Sequence, residues 1–211
     1  MASVCQNVSA TCVTRSPERS RQLYERWLAE ALKRKPFWGG DRRLLAERPE
    51  LASEPLAVRR AHAIDLVLRA MPIRIADGEL VAGNMLLASI GLGTPFPDFL
   101  TEEERRRGMK AGGLPGHCVP DYEKLLRVGL QGLRVEIQNS LSRSADEEAR
   151  AFLRALLVAA DAVGAFALRY ARLAESLAGQ ADETRAAELR DIAAACRQAP
   201  EGPARTFQEA L

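Results

Sequence analysis

Helix-start signals recur along this chain, and very little of it alternates like a strand. Ser16-Pro17-Glu18, Ser53-Glu54-Pro55, Thr101 with Glu104, Pro120-Asp121, Ser144 with Glu147, Asp182, and Thr206 with Glu209 each put a capping side chain, a first-turn proline or an early acid ahead of helical sequence. The spacing predicts helices from Pro17 to about Lys35, near Asp41 to Glu47, from Leu56 to Ala70, and from Thr101 over a short charged stretch. Further helices are predicted from Tyr122 to Leu141, from Ser144 through Leu177, and from Asp182 to about Arg197. Pro49 is expected to close the second of these, and Pro200-Glu201-Gly202-Pro203 to be linker. Strand-like alternation is confined to residues 73–75 and 79–84, on either side of Asp77-Gly78. The fold class expected is mainly α, with at most short strands at those two places.

Two helices carry most of the apolar patterning. Tyr122, Leu125, Leu126, Leu130, Leu133, Ile137 and Leu141 fall three and four apart, which predicts one buried face. Gly116-His117-Cys118-Val119 then reads as a short polar loop leading into a buried helix, the kind of place where function concentrates. The helix after Ser144 is apolar on much of its circumference and expects neighbours on more than one side. Its Asp161 is expected to face a seam and pair with Arg154 or Arg169, while His62 reads as surface or core filler. Glu102, Glu103 and Glu104 read as a solvated helix start.

The chain has 211 residues, 47% of them hydrophobic, enough for a sizeable core. A net charge of +2 gives no global field for nucleic acid or a membrane surface. Arginine outnumbers lysine 26 to 4, which reads as genome composition. Cys5, Cys12, Cys118 and Cys196 form no metal-ligand spacing, so free thiols and no metal are expected. The most apolar run, Ala155–Leu168, is interrupted by Asp161 and is too short to span a bilayer, so a cytoplasmic chain is expected. Residues 1–15 are expected to be disordered, and residues 16–211 to form one unit.

Four landmarks, in order, resemble the N-terminal portion of glycyl radical enzymes, the pyruvate formate-lyase-like family. They are Arg59–Ile75 with Asp77-Gly78-Glu79-Leu80-Val81-Ala82-Gly83-Asn84, Gly116–Leu126 (GHCVPDYEKLL), Phe166–Ala171, and Pro203–Leu211. The resemblance implies a helical N-terminal portion of a barrel of two half-barrels wrapped by helices. It also implies a radical stored on a glycine, passed to a cysteine, and installed by a separate radical S-adenosylmethionine enzyme. Neither the cysteine-loop nor the glycine-loop motif occurs in these residues, so the radical chemistry is expected to be incomplete here and no cofactor is assigned to this chain.

The same resemblance implies radical lysis or dehydration of a small molecule in anaerobic metabolism, and allows a homodimer. In the family, the residue after the glycine in this loop approaches the substrate cavity; here that is residue 117, and histidine there goes with neutral or hydroxylated substrates. His117 and Asp121 are therefore the candidate substrate-binding residues; the alternative readings are that His117 ties down its loop and Asp121 caps the helix. The start signal at Thr206, so near Leu211, is expected to mark a truncation. The competing reading is a free-standing helical binding or regulatory module, or one half of a split radical enzyme.

Overall fold

The computed structural model describes residues 17–31, 38–83, 97–111 and 119–211. Its helices are α1 (Pro17–Ala31), α2 (Leu44–Glu47), α3 (Leu56–Ala70), α4 (Glu102–Arg106), α5 (Tyr122–Arg143), α6 (Glu147–Ala178), α7 (Glu183–Gln198) and α8 (Phe207–Ala210). The far end of the α1 prediction, the expected disorder of residues 1–15 and His117 all lie outside the described residues.

Helix α6 is the axis of the molecule. Ala151 and Ala155 meet Val58 and Ala61 of α3, and Ala174 meets Leu189, Ile192 and Ala193 of α7. Small side chains at these seams let the helix axes approach closely, and alanine also has the highest helix propensity. Helix α5 packs antiparallel against α6, less extensively, with Arg134 bonded to Asp161 and Arg150 to the Leu141 carbonyl. A second core, Leu44, Leu51, Ala63, Leu66, Phe99 and Leu100, closes the α2–α3–α4 end. A parallel bridge between Arg43 and Asp98 joins its two strands of loop.

Local signals explain where most helices begin. Thr101 and Glu104 form both halves of a capping box at α4. Asp121 and Asp182 accept the Lys124 and Arg185 amides, both at 3.0 Å. Three starts differ from expectation. Helix α2 ends at Glu47, just ahead of Pro49 as expected, and Pro49 then opens a 3-10 turn through Ser53, but α3 begins after Pro55 with no side-chain cap. Ser144 donates its amide to Ser140 and ends α5, so Asp146 caps α6 instead, accepting from Ala149 at 2.9 Å. At α8, Thr206 caps as expected, but Glu209 reaches the Arg205 amide at 2.7 Å.

No strand ladder forms among the described residues. The stretch 72–83 is an extended loop with a turn at Gly78, and it has no partner strand. Its carbonyls are instead taken by arginines: Arg185 donates to Ala76 at 3.1 Å and Glu79 at 2.8 Å, and Arg26 to Asp77 at 2.9 Å. Arg169 does the same for the end of α3, donating to Leu68 and Met71 at 2.6 Å each. One guanidinium can hold two carbonyls at a fixed spacing, and an ammonium cannot do so in the same rigid way. The arginine excess therefore has a structural use.

The most enclosed of these groups is Arg59, 4% exposed, which donates to the Glu54 and Phe99 carbonyls and forks onto Glu104. Glu104 is thus not a solvated helix-start acid. Hydrogen bonding from Arg59 outweighs the cost of burial and holds its carboxyl down at about 2.

Helix α6 has 32 residues and, by length and composition alone, is long and apolar enough to cross a membrane, which the shorter run Ala155–Leu168 did not suggest. Core helices pass the same test. Several of its charged groups are engaged within the fold: Arg154 with Glu147, Asp161 with Arg134, and Arg169 with the end of α3. Phe152 is nevertheless 55% exposed, and Leu156 and Val163 are more than a third exposed.

Candidate functional site

The α5 N-terminus carries the sequence-based site, and it is more open than the periodicity suggests. Tyr122 is 60% exposed and only Gly129 and Leu130 of α5 are buried, so the expected continuous buried face does not form. The reason is a break. Gly129 has φ 63° and ψ −177°, outside the helical region and essentially restricted to glycine. Apolar periodicity counted across it compares residues that do not share a face.

The break is filled by the chain segment after α7. Leu130 donates its amide to Pro200 at 2.8 Å and Gln131 to Glu201 at 3.0 Å, while Ala204 donates to Leu126 at 2.9 Å. Residues 200–203 are therefore an ordered turn rather than linker. A Cβ on Gly129 would lie 2.5 Å from the Glu201 carbonyl oxygen and 2.5 Å from the Gly202 carbonyl carbon. Arg134, just past the break, donates to Glu201 at 2.6 Å, to Asp161 at 2.8 Å and to the Ala160 carbonyl at 3.2 Å. Burial pulls the Arg134 pKa down, but its two carboxylate partners more than restore it. Asp161 is exposed and paired with Arg134, not with Arg154 or Arg169.

Between the first half of α5 and this turn lies a cleft of about 270 Å³ lined by Tyr122, Leu125, Leu126, Pro200, Ala204 and Leu211. On the other side of the turn, Phe166, Tyr170, Cys196, Leu80 and Val81 line another of about 170 Å³. Phe166 and Tyr170 meet edge to face at 5.2 Å. Burial pushes the Cys196 thiol up, which disfavours the thiolate a nucleophile or metal ligand would need. Both clefts are suited to binding and shape selection more than to proton transfer. Asp121 is exposed at the head of α5, with one carboxylate oxygen accepting the Lys124 amide. Its capping role does not consume its remaining acceptor capacity.

The profile of the family described as Pyruvate formate lyase-like matches residues 98–211. The chain belongs to the pyruvate formate lyase-like family. The isethionate sulfite-lyase of Oleidesulfovibrio alaskensis is 40% identical over 100 residues, 44% of this chain and 12% of that enzyme. The (2S)-3-sulfopropanediol dehydratase of Klebsiella oxytoca is 32% identical over 102 residues, 46% of this chain and 12% of its own length. A solved structure concerned with 1,2-propanediol dehydration in Roseburia inulinivorans superposes with a TM-score of 0.70 at 23% identity, covering 97% of this chain and 31% of that one. The resemblance to glycyl radical enzymes holds, as does a mainly α portion of their fold. This pyruvate formate lyase-like chain thus corresponds to a minor part of the length of each relative.

Sequence reasoning missed Gly129 and its turn. Two glycines three apart inside a helical pattern, Gly129 and Gly132, were the available signal, and the second also sits tight: a Cβ there would meet the Val128 Cβ at 2.5 Å.

Proposed function

We propose that this chain is the helical N-terminal portion of a glycyl radical lyase or dehydratase that acts on a small hydroxylated molecule, catalytically incomplete in these residues. The family match over residues 98–211, which includes the loop and helix carrying His117 and Asp121, is the observation that carries this reading. The relatives named for isethionate and sulfopropanediol support a short-chain alcohol, sulfonated or not, as the substrate class. His117 would hydrogen-bond a hydroxyl group of the substrate, with Asp121 accepting a second hydrogen bond. Neither residue is given a radical or acid–base step.

The sequence of this chain supplies no radical glycine and no thiyl cysteine, so the protein radical would reside on other residues and be installed by a radical S-adenosylmethionine enzyme. A cytoplasmic, anaerobic setting and a homodimer belong to the same proposal. The test has two parts. The reading frame beyond the Leu211 codon, or a neighbouring gene, is read for the cysteine and glycine loops. The complete system is then expressed anaerobically with its activating enzyme, and turnover of isethionate, 1,2-propanediol and related alcohols is followed. Turnover that falls at least about tenfold with His117→Ala, through KM, supports the reading. Full activity without this chain would overturn it and favour a separate helical module.

A further inference from the structure

Helix α5 changes direction at Gly129, and a distant piece of backbone caps both sides of the break. The amides of Leu130 and Gln131 begin the second half-helix and have no partners within it; the carbonyls of Pro200 and Glu201 supply them. The Leu126 carbonyl, near the end of the first half-helix, is taken by the Ala204 amide. One turn therefore serves as C-cap and N-cap at once. We infer that Gly129 and the turn at residues 200–204 form a positioning device, which sets the angle at which the half-helix Tyr122–Val128 presents Asp121.

An ion pair shows independently that α5 is not straight. Lys124 and Glu136 are bonded to one another although twelve positions separate them. On a straight helix that separation is about 18 Å, more than the two side chains can bridge together. The turn is itself fixed to the rigid part of the molecule. Arg134 joins Glu201 to Asp161 and to the Ala160 carbonyl of α6. Gly164 of α6 leaves room for this group, since a Cβ there would lie 3.0 Å from Glu201 Oε2 and 3.3 Å from Arg134 Nη2. The orientation of the α5 N-terminus is thus referred, through backbone hydrogen bonds and one guanidinium, to the helix at the centre of the fold.

The inference takes its functional meaning from the proposed role of the α5 N-terminus, but its physical content can be tested without substrate. Hydrogen–deuterium exchange of the whole chain would be compared with that of Gly129→Ala. We expect exchange at least about tenfold faster both in residues 122–131 and in 200–204, with α3 and the body of α6 unchanged. Acceleration in 122–131 alone, with 200–204 as protected as before, would overturn the coupling. Should Gly129→Ala accelerate exchange everywhere, Arg134→Met decides, because it leaves the glycine in place. It is expected to loosen the same two segments together by a smaller factor, and an unchanged pattern in them would overturn the device. Failure of the substrate proposal would leave these exchange patterns intact, and failure of the coupling would leave the turnover assay intact.

Discussion

Helices α5 and α6 are neighbours in sequence and in space, yet they are held by different means. Helix α6 runs 32 residues without interruption and meets α3 and α7 through alanines, so its order comes from side-chain burial along its length. Helix α5 has two buried residues, and its shape comes from backbone hydrogen bonds made at one point to residues 200–204. A seam distributes its energy over many small contacts, whereas a single clamp concentrates it. The first tolerates local change gradually; the second is sensitive at one position.

Substitution at Gly129 should therefore have the largest effect. Gly129→Ala is expected to lower stability by about 3 kcal/mol in urea unfolding, from backbone strain plus overlap with the turn. A cost below that of a seam mutation would reverse the comparison. A third fastening, the Arg59–Glu104 pair at the α3–α4 junction, works by charge and supplies a control. Glu104 sits at about 2 in the fold against 4.5 ordinarily, so its contribution is fully present above about pH 4.5 and is lost as pH falls toward 2. The loss is on the order of 2–3 kcal/mol, and Glu104→Gln should flatten the stability profile within that window. An unchanged acid limb in the variant would remove this pair from the account.

In the α6 seam, Ala171 is fully buried, and Ala171→Leu is expected to cost about 2 kcal/mol by overpacking. The smallest effect is expected on the open face of α6. Phe152→Ser should change stability by no more than about 0.5 kcal/mol. It should also reduce binding of a hydrophobic dye, because Phe152 is the most exposed large apolar side chain on that helix. A large stability loss there would mean that this face is part of the seam.

Much of the helical layout was legible because it is local. Helix α3 spans Leu56–Ala70 as read from spacing, and Thr101, Asp121 and Asp182 cap as their sequence contexts suggest. Some starts were misread locally, as where Asp146 rather than Ser144 caps α6, but the misreadings that bear on the site were decided by remote partners. Asp161 found Arg134 across the α5–α6 seam, Glu104 found the buried Arg59, and residues 200–203 became a cap for α5. Periodicity cannot register a helix break when the residues on both sides still count in threes and fours. Of the candidate site, only Asp121 lies within the described residues. Its start-of-helix position was legible from Pro120-Asp121, while the cleft beside it depended on the missed turn.

The loop at residues 72–83 has a consequence for the order in which the chain acquires its structure. Arg185 lies 109 residues beyond Ala76, and Gln208, which donates to Leu80 at 3.3 Å, lies 128 residues beyond it. These bonds close very long loops, and such contacts form late because the entropy of closure must be met first. As the chain leaves the ribosome, the α2–α3 end can collapse early, but residues 72–83 have only the Arg26 bond to Asp77 from earlier in the chain until α7 and α8 have emerged. The stretch that looked most like a hairpin in the sequence is thus among the last to be fixed. During synthesis it is left open to proteolysis and to pairing with another chain.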